Sequence, residues 1–169
     1  MGTEINGIDG SLPIGKVAIV ASRYNAAICD ALVKGSIETL TQAGFSDENL
    51  QVIRVPGAWE LSTVTQQVLD TEQFIAVITL GCVIKGETTH DEHINRAVSL
   101  ALMEMGVKTG IPIAFGLLTC NTLEQAINRS GGTVGNKGNE AAEAVLELLR
   151  LGLKIKAIPS LKVKIRKWL

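Results

Sequence analysis

The seven residues FIAVITL, 74–80, constrain this chain more than any other stretch. They are almost continuously apolar, so a strand built from them has no face to turn to water and must be covered on both sides. Such a strand belongs in a parallel sheet between helices, and the rest of the chain supplies matching pieces. KVAIVA at 16–21, LQVIRV at 50–55 and IAFGLLT at 113–119, the last introduced by Pro112, all read as strands. Helical patterns lie between and after them. The first runs from about Ala26 to Ala43 with Gly44 as its C-cap, and the second from Trp59 to about Asp70 with Leu61, Val64, Val68 and Leu69 on one side. A third covers about Thr89 to Lys108. A fourth covers Leu123 to Ser130, capped by Asn121 or Thr122 with Glu124 or Gln125 completing the cap. After the glycine-rich bend SGGTVGNKG at 130–138, a fifth runs from Glu140 to about Leu151.

Strands and helices therefore alternate throughout. With right-handed crossovers this order predicts an α/β fold, a flavodoxin-like three-layer α/β/α sandwich around a four-stranded parallel sheet. The segment GIDGS at 7–11 is too polar for a core strand, and it is a candidate to extend the sheet of a neighbouring subunit at its edge.

At 169 residues and 46% apolar content, one domain spanning 1–169 is expected, with residues 1–15 as an N-terminal arm and 152–169 as a basic C-terminal tail. The start lacks the apolar core of a secretion signal, and no stretch is apolar enough to cross a bilayer, so a cytoplasmic protein without membrane contact is predicted. Cys29, Cys82 and Cys120 are embedded in apolar stretches without CxxC spacing, which predicts buried free thiols. The net charge of −1 is unevenly spread. Lys154, Lys156, Lys162, Lys164, Arg166 and Lys167 crowd the end, and without these six the remaining ten basic residues face seventeen acids, about −7. The basic end lacks the aromatic interleaving of a nucleic-acid binder, so no nucleic-acid partner is expected.

Polar clusters follow every strand: SRYN, VPGAWE, GCVIKGETTH and the stretch beginning FGLLT. In an open parallel sheet these turns lie at the carboxyl edge, where ligands bind. Tyr24 and Trp59 suit stacking on a flat heterocycle, or a cover over the sheet end. Glu60 suits hydrogen bonds from hydroxyls, or the first turn of a helix. Gly86, Glu87, Thr88 and Thr89 open a helix whose free N–H groups suit a phosphate. His90, in the first turn, suits proton transfer near neutral pH. His90 and His93 have HxxH spacing, but no third ligand cluster and no HExxH accompany them, so no metal is expected. Arg129 and Lys137 flank the glycine-rich bend, where a backbone and two cations can approach an anion.

In combination and order, these four motifs resemble those of the 6,7-dimethyl-8-ribityllumazine synthase family, over about Lys16 to Leu149. The resemblance implies condensation of 5-amino-6-(D-ribitylamino)uracil with 3,4-dihydroxy-2-butanone 4-phosphate, releasing phosphate and water, with no cofactor. It implies that Tyr24 stacks on the pyrimidine, that Ala58, Trp59 and Glu60 hold the ribityl chain, and that Cys82, Val83 and Ile84 meet the ring edge through backbone. Glu87 and Thr88 would bind phosphate with Arg129, His90 would transfer protons, Lys137 would sit near the pyrimidine, and Phe115 would come from the adjacent subunit. The implied assembly is a pentamer with sites between subunits. The short bend at 130–138, without an insertion, points further to a 60-subunit shell, with riboflavin synthase as a partner. Asp91, Glu92 and His93 depart from the family's usual aromatic, Asp, aromatic order after the histidine. Asn128 stands where an acid commonly precedes the arginine, which leaves Glu140 to position Arg129. The alternative is a non-catalytic relative that binds a flavin or lumazine or only forms shells.

Overall fold

The computed structural model describes residues 4–159. Its central feature is a four-stranded parallel sheet of β1 (Lys16–Ser22), β2 (Leu50–Val55), β3 (Phe74–Ile84) and β4 (Ile113–Cys120), in the order β2-β1-β3-β4. The buried strands sort their side chains by alternation. Val17, Ile19, Ala21, Ile78, Leu80 and Cys82 face one layer, while Ala18, Val20, Val77 and Val83 face the other. The first layer consists of α1 (Ala26–Gln42) and α5 (Lys137–Lys156), with the short α4 (Leu123–Asn128) beside them. The second consists of α2 (Glu60–Asp70) and α3 (His90–Thr109). The expected three-layer sandwich is therefore present, with a core on each side of the sheet. Cys29, Cys82 and Cys120 are free and buried, as their apolar surroundings required.

Local chemistry sets the element ends. Ala43 caps α1, while Gly44 takes a φ of 101° and donates to Thr41 O as Phe45 donates to Leu40 O at 3.1 Å. This is the Schellman arrangement, and Phe45 and Leu40 meet in the same core. Thr122 accepts the Gln125 N–H at 3.2 Å, and Gln125 Oε1 reaches back to the Asn121 N–H at 2.8 Å, so the cap of α4 is settled in favour of Thr122 and Gln125.

Four boundaries differ from the sequence reading by two residues or more. β3 continues past Leu80 to Ile84, because Gly81–Ile84 pair with Leu117–Cys120 of β4. α4 ends at Asn128, and Ser130 instead pairs with Asn136 in a small antiparallel ribbon, β5 (Ser130–Gly132) with β6 (Gly135–Asn136). α5 starts at Lys137, where the Asn136 side chain accepts the Gly138 N–H at 2.8 Å. It also runs on to Lys156, so Lys154 and Lys156 are helical, while Lys162, Lys164, Arg166 and Lys167 lie outside the described residues.

The segment at 7–11 is not a strand in its own chain. It lies along α5, where Lys154 Nζ meets Asp9 Oδ1 at 2.8 Å, Arg150 donates to Ile8 O at 3.4 Å, and Gly7 is packed against the Glu147 carbonyl. Only a residue without Cβ fits at Gly7.

Candidate active site

The strand order reverses direction between β1 and β3: the chain leaves β1 toward β2 on one side and returns to β3 on the other. At such a switch point the loops after the two strands part and leave a crevice at the carboxyl edge. A cleft of about 540 Å³ opens there. The turn after β1 contributes Tyr24 and Asn25, the turn after β2 contributes Gly57, Ala58 and Trp59, and the end of β3 contributes Cys82, Val83 and Ile84. Gly86, Thr88, His90, Asp91 and Ile94, from the following turn and the start of α3, complete the wall.

Each wall has a local cause. The Tyr24 turn is tied down from several directions, since Arg23 N–H donates to Val55 O at 2.8 Å and Tyr24 N–H is shared between Ser22 Oγ at 3.1 Å and Pro56 O at 3.2 Å. The Cys29 thiol donates to Tyr24 O at 3.2 Å. Held this way, Tyr24 is 71% exposed and Trp59 57%, so both remain open for contact instead of closing over the sheet end. Glu60 Oε2 accepts the Gly57 N–H at 2.9 Å, which fastens the turn that presents Ala58 and Trp59.

The third wall is backbone. β1 pairs with β3 only as far as Ala21 with Leu80, whereas β3 continues to Ile84. Past Leu80, one side of the β3 backbone has lost its neighbouring strand and turns its peptide groups toward the cleft. Opposite it stands the start of α3. Thr89 caps this helix without a side-chain hydrogen bond, and its first N–H groups lack helical partners, so they can receive an anion. Glu87, Thr88 and His90 are all exposed at this end. Among the described residues no group of three or more His, Cys, Asp and Glu is placed to hold a metal ion, and no helix is long and apolar enough to cross a membrane.

Three of the sequence candidates lie elsewhere. Arg129 and Lys137 line a second cleft of about 470 Å³ at the end of β4, with Thr119, Gln125 and Asn128. Glu140 joins the two cations: its carboxylate stands 3.2 Å from Arg129 Nη2 and 2.9 Å from Lys137 Nζ. These contacts, that to Lys137 foremost, hold the Glu140 carboxyl below its ordinary value. Glu140 thus positions Arg129, as the Asn128 departure suggested. Phe115, 40% exposed on edge strand β4, lines an apolar groove of about 570 Å³ with Met103, Val107, Ile113, Leu148 and Ile155. Within one chain, the stacking face, open backbone and His90 come together, but Phe115, Arg129 and Lys137 do not join them.

Asn25, Asp91 and Ile94 were missed as cleft residues. Asn25 closes the motif SRYN, and an Asn before a helix reads as a cap, yet capping is what this side chain does not do. The Oδ1 of Asp91 is shielded from solvent without a hydrogen-bond partner among the described residues.

Comparison with known proteins bears on what such a cleft handles. The family model described as 6,7-dimethyl-8-ribityllumazine synthase matches residues 15–152. A protein of that name from Rhodopirellula baltica is 60% identical over 153 residues, which cover 90% of this chain and 99% of the relative. Another from Xanthomonas oryzae pv. oryzae is 44% identical over 139 residues, 82% of this chain and 90% of its own length. A third, from Syntrophus aciditrophicus, is 44% identical over 136 residues, covering 80% and 88%.

Proposed function

The chain belongs to the 6,7-dimethyl-8-ribityllumazine synthase family, and on that ground we propose how its cleft performs the reaction. The enzyme condenses 5-amino-6-(D-ribitylamino)uracil with 3,4-dihydroxy-2-butanone 4-phosphate to 6,7-dimethyl-8-ribityllumazine, releasing phosphate and water, a step of riboflavin biosynthesis. The observation that carries the assignment of parts is the meeting of an exposed aromatic face, an open backbone edge and an exposed histidine in one cleft.

Tyr24 stacks on the pyrimidine, whose edge meets the backbone of Cys82, Val83 and Ile84. Ala58, Trp59 and Glu60 receive the ribityl chain. The turn N–H groups at Glu87 and Thr88 bind the phosphate. The 5-amino group attacks the ketone and expels water to form an imine. The imine eliminates phosphate to leave an enol that tautomerises to a ketone, and attack of the ribitylamino nitrogen on that carbonyl closes the ring with loss of a second water. Each of these steps moves a proton, and His90, at the mouth of the cleft, serves as both acid and base. Holding two small substrates side by side supplies much of the remaining acceleration.

Phe115, Arg129 and Lys137 act from a neighbouring chain. Their distance from the cleft in the lining of one chain, and the apolar groove around Phe115, support an oligomer in which each site is shared, a pentamer with Arg129 on the departing phosphate and Lys137 near the pyrimidine. The ribbon at 130–136 carries no insertion, which favours assembly of pentamers into a 60-subunit shell. The setting is the cytoplasm, with riboflavin synthase as a partner. Retention of His90 together with Arg129 and Lys137 favours the enzyme over a non-catalytic relative, since a binder has no use for a proton-transfer group.

Purified protein mixed with both substrates is expected to produce lumazine absorbance, and its absence would overturn the reading. His90→Ala is expected to lower kcat by roughly 10²–10⁴-fold with little change in KM. Turnover near the wild-type rate in that variant would remove His90 from the mechanism.

A further inference from the structure

Asn25 stands just before α1 with φ 56° and ψ 50°, a left-handed conformation that non-glycine residues rarely take. Its side chain makes no cap bond to α1. Instead its Nδ2 donates to Cys82 O at 2.9 Å, 57 residues further along the chain. Cys82 lies in the part of β3 that has outrun β1. The amide therefore does what the missing stretch of β1 would have done: it pins the β3 backbone at one point and leaves the adjacent peptide groups facing the cleft.

We infer that Asn25 is a positioning residue for the heterocyclic substrate, fixing the gap between the Tyr24 ring and the open β3 backbone. The residue type fits this role and little else. Glycine would take the left-handed turn with less strain but has no donor, and aspartate tolerates the turn but opposes a carboxylate to the Cys82 carbonyl. Asparagine combines tolerance of the turn with a donor that reaches across. On the other side of the turn, Ser22 Oγ and the Cys29 thiol hold the Tyr24 backbone, so the ring and the β3 edge are joined through one short chain of links, the Tyr24–Asn25 peptide and the Asn25–Cys82 hydrogen bond. The phosphate end of the cleft, at Gly86 and Thr88, lies outside that chain. The inference deepens the proposed function and rests on it.

Asn25→Gly and Asn25→Asp separate this role from a merely structural one, because glycine keeps the backbone conformation and removes only the clamp. With each substrate varied in turn, Asn25→Gly is expected to raise KM for the ribitylaminouracil by roughly five- to ten-fold, the scale of one net hydrogen bond. KM for the phosphorylated ketone stays within about two-fold on the same scale. Asn25→Asp shifts the same KM further. Equal changes in both KM values, or wild-type kinetics in the glycine variant, would overturn the inference. So would a lowered melting midpoint with an unchanged ratio of the two KM values. Absence of lumazine from the wild-type protein is a different outcome, which removes the functional reading before Asn25 is tested.

Discussion

Cys82 shows how one residue can serve two sides of a sheet. Its backbone lines the cleft while its thiol lies in the core shared with Cys29 and Cys120. Burial pushes the Cys82 thiol up to about 12, with the neighbouring Cys120 and Cys29 adding to the rise, and burial pushes Cys29 up to about 11. Both are protonated at neutral pH, so neither is a nucleophile, and the Cys29 S–H remains available to donate to Tyr24 O. Native protein is therefore expected to resist iodoacetamide at about pH 8 and to react once unfolded in urea. Alkylation of the folded protein at the rate of a free thiol would contradict the buried assignment. The same shifts set a pH dependence. An unfolded thiol releases its proton near 9.0 whereas the folded ones hold theirs to about 11 and 12. Their contribution is thus complete below pH 9.0 and is lost as pH rises through the folded values. Urea melts at increasing pH are expected to show stability declining above about 9, and a flat profile there would refute it.

At the scale of elements, the contact between α1 and α5 decides where the second cleft sits. A Cβ on Gly138 would fall on the Leu32 carbonyl, and one on Gly35 would meet Asn139 and Asn136, so the two helices touch backbone to backbone. Ser36 Oγ donates to Gly138 O at 2.8 Å across the same contact. Lys137 and Glu140 lie on the first turn of α5, beside Gly138, so this packing also places the ion pairs of Arg129. Gly138→Ala is expected to destabilise by roughly 1–3 kcal/mol, the range for overpacking a tight contact. Gly44→Ala provides the contrast. No described residue lies within 4 Å of its added Cβ, so the left-handed backbone is what opposes it, at a cost of about 1 kcal/mol. Denaturant melts of both variants check the order. Equal losses would mean that the helix contact relaxes around the methyl group.

At the scale of the whole molecule, both sheet edges, β2 and β4, are open among the described residues, and the edge at β4 carries Phe115 next to an apolar groove. Open edges and exposed apolar grooves call for cover. A site shared between chains makes a sharp prediction. His90→Ala and Arg129→Ala, each weak alone, are expected to regain activity when unfolded together and co-assembled, because some interfaces then pair an intact His90 with an intact Arg129. For random mixing in a ring, about a quarter of the interfaces qualify, since each intact partner is present in about half the chains. Mixtures no more active than the separate variants would mean that each chain completes its own site. Light scattering reports the assembly itself: a monomer would sink the shared site, and a free pentamer would sink the shell.

Local sequence was enough to determine the strands, most of the helices and the motif residues, because periodicity, caps and glycine breaks act within a few neighbours. FIAVITL demanded a covered strand, Gly44 ended a helix, and GETTH marked a helix start at the sheet edge. The tertiary structure alone decided which of the motif residues meet. It carried β3 beyond β1 to expose its backbone, brought Asn25 to Cys82, bridged Arg129 and Lys137 through Glu140, and set those cations with Phe115 apart from the Tyr24 and His90 cleft. The physical reason is that these relations depend on strand register and on the packing of helices from distant parts of the chain, and no local pattern encodes the distance between residues that meet only after the sheet has formed.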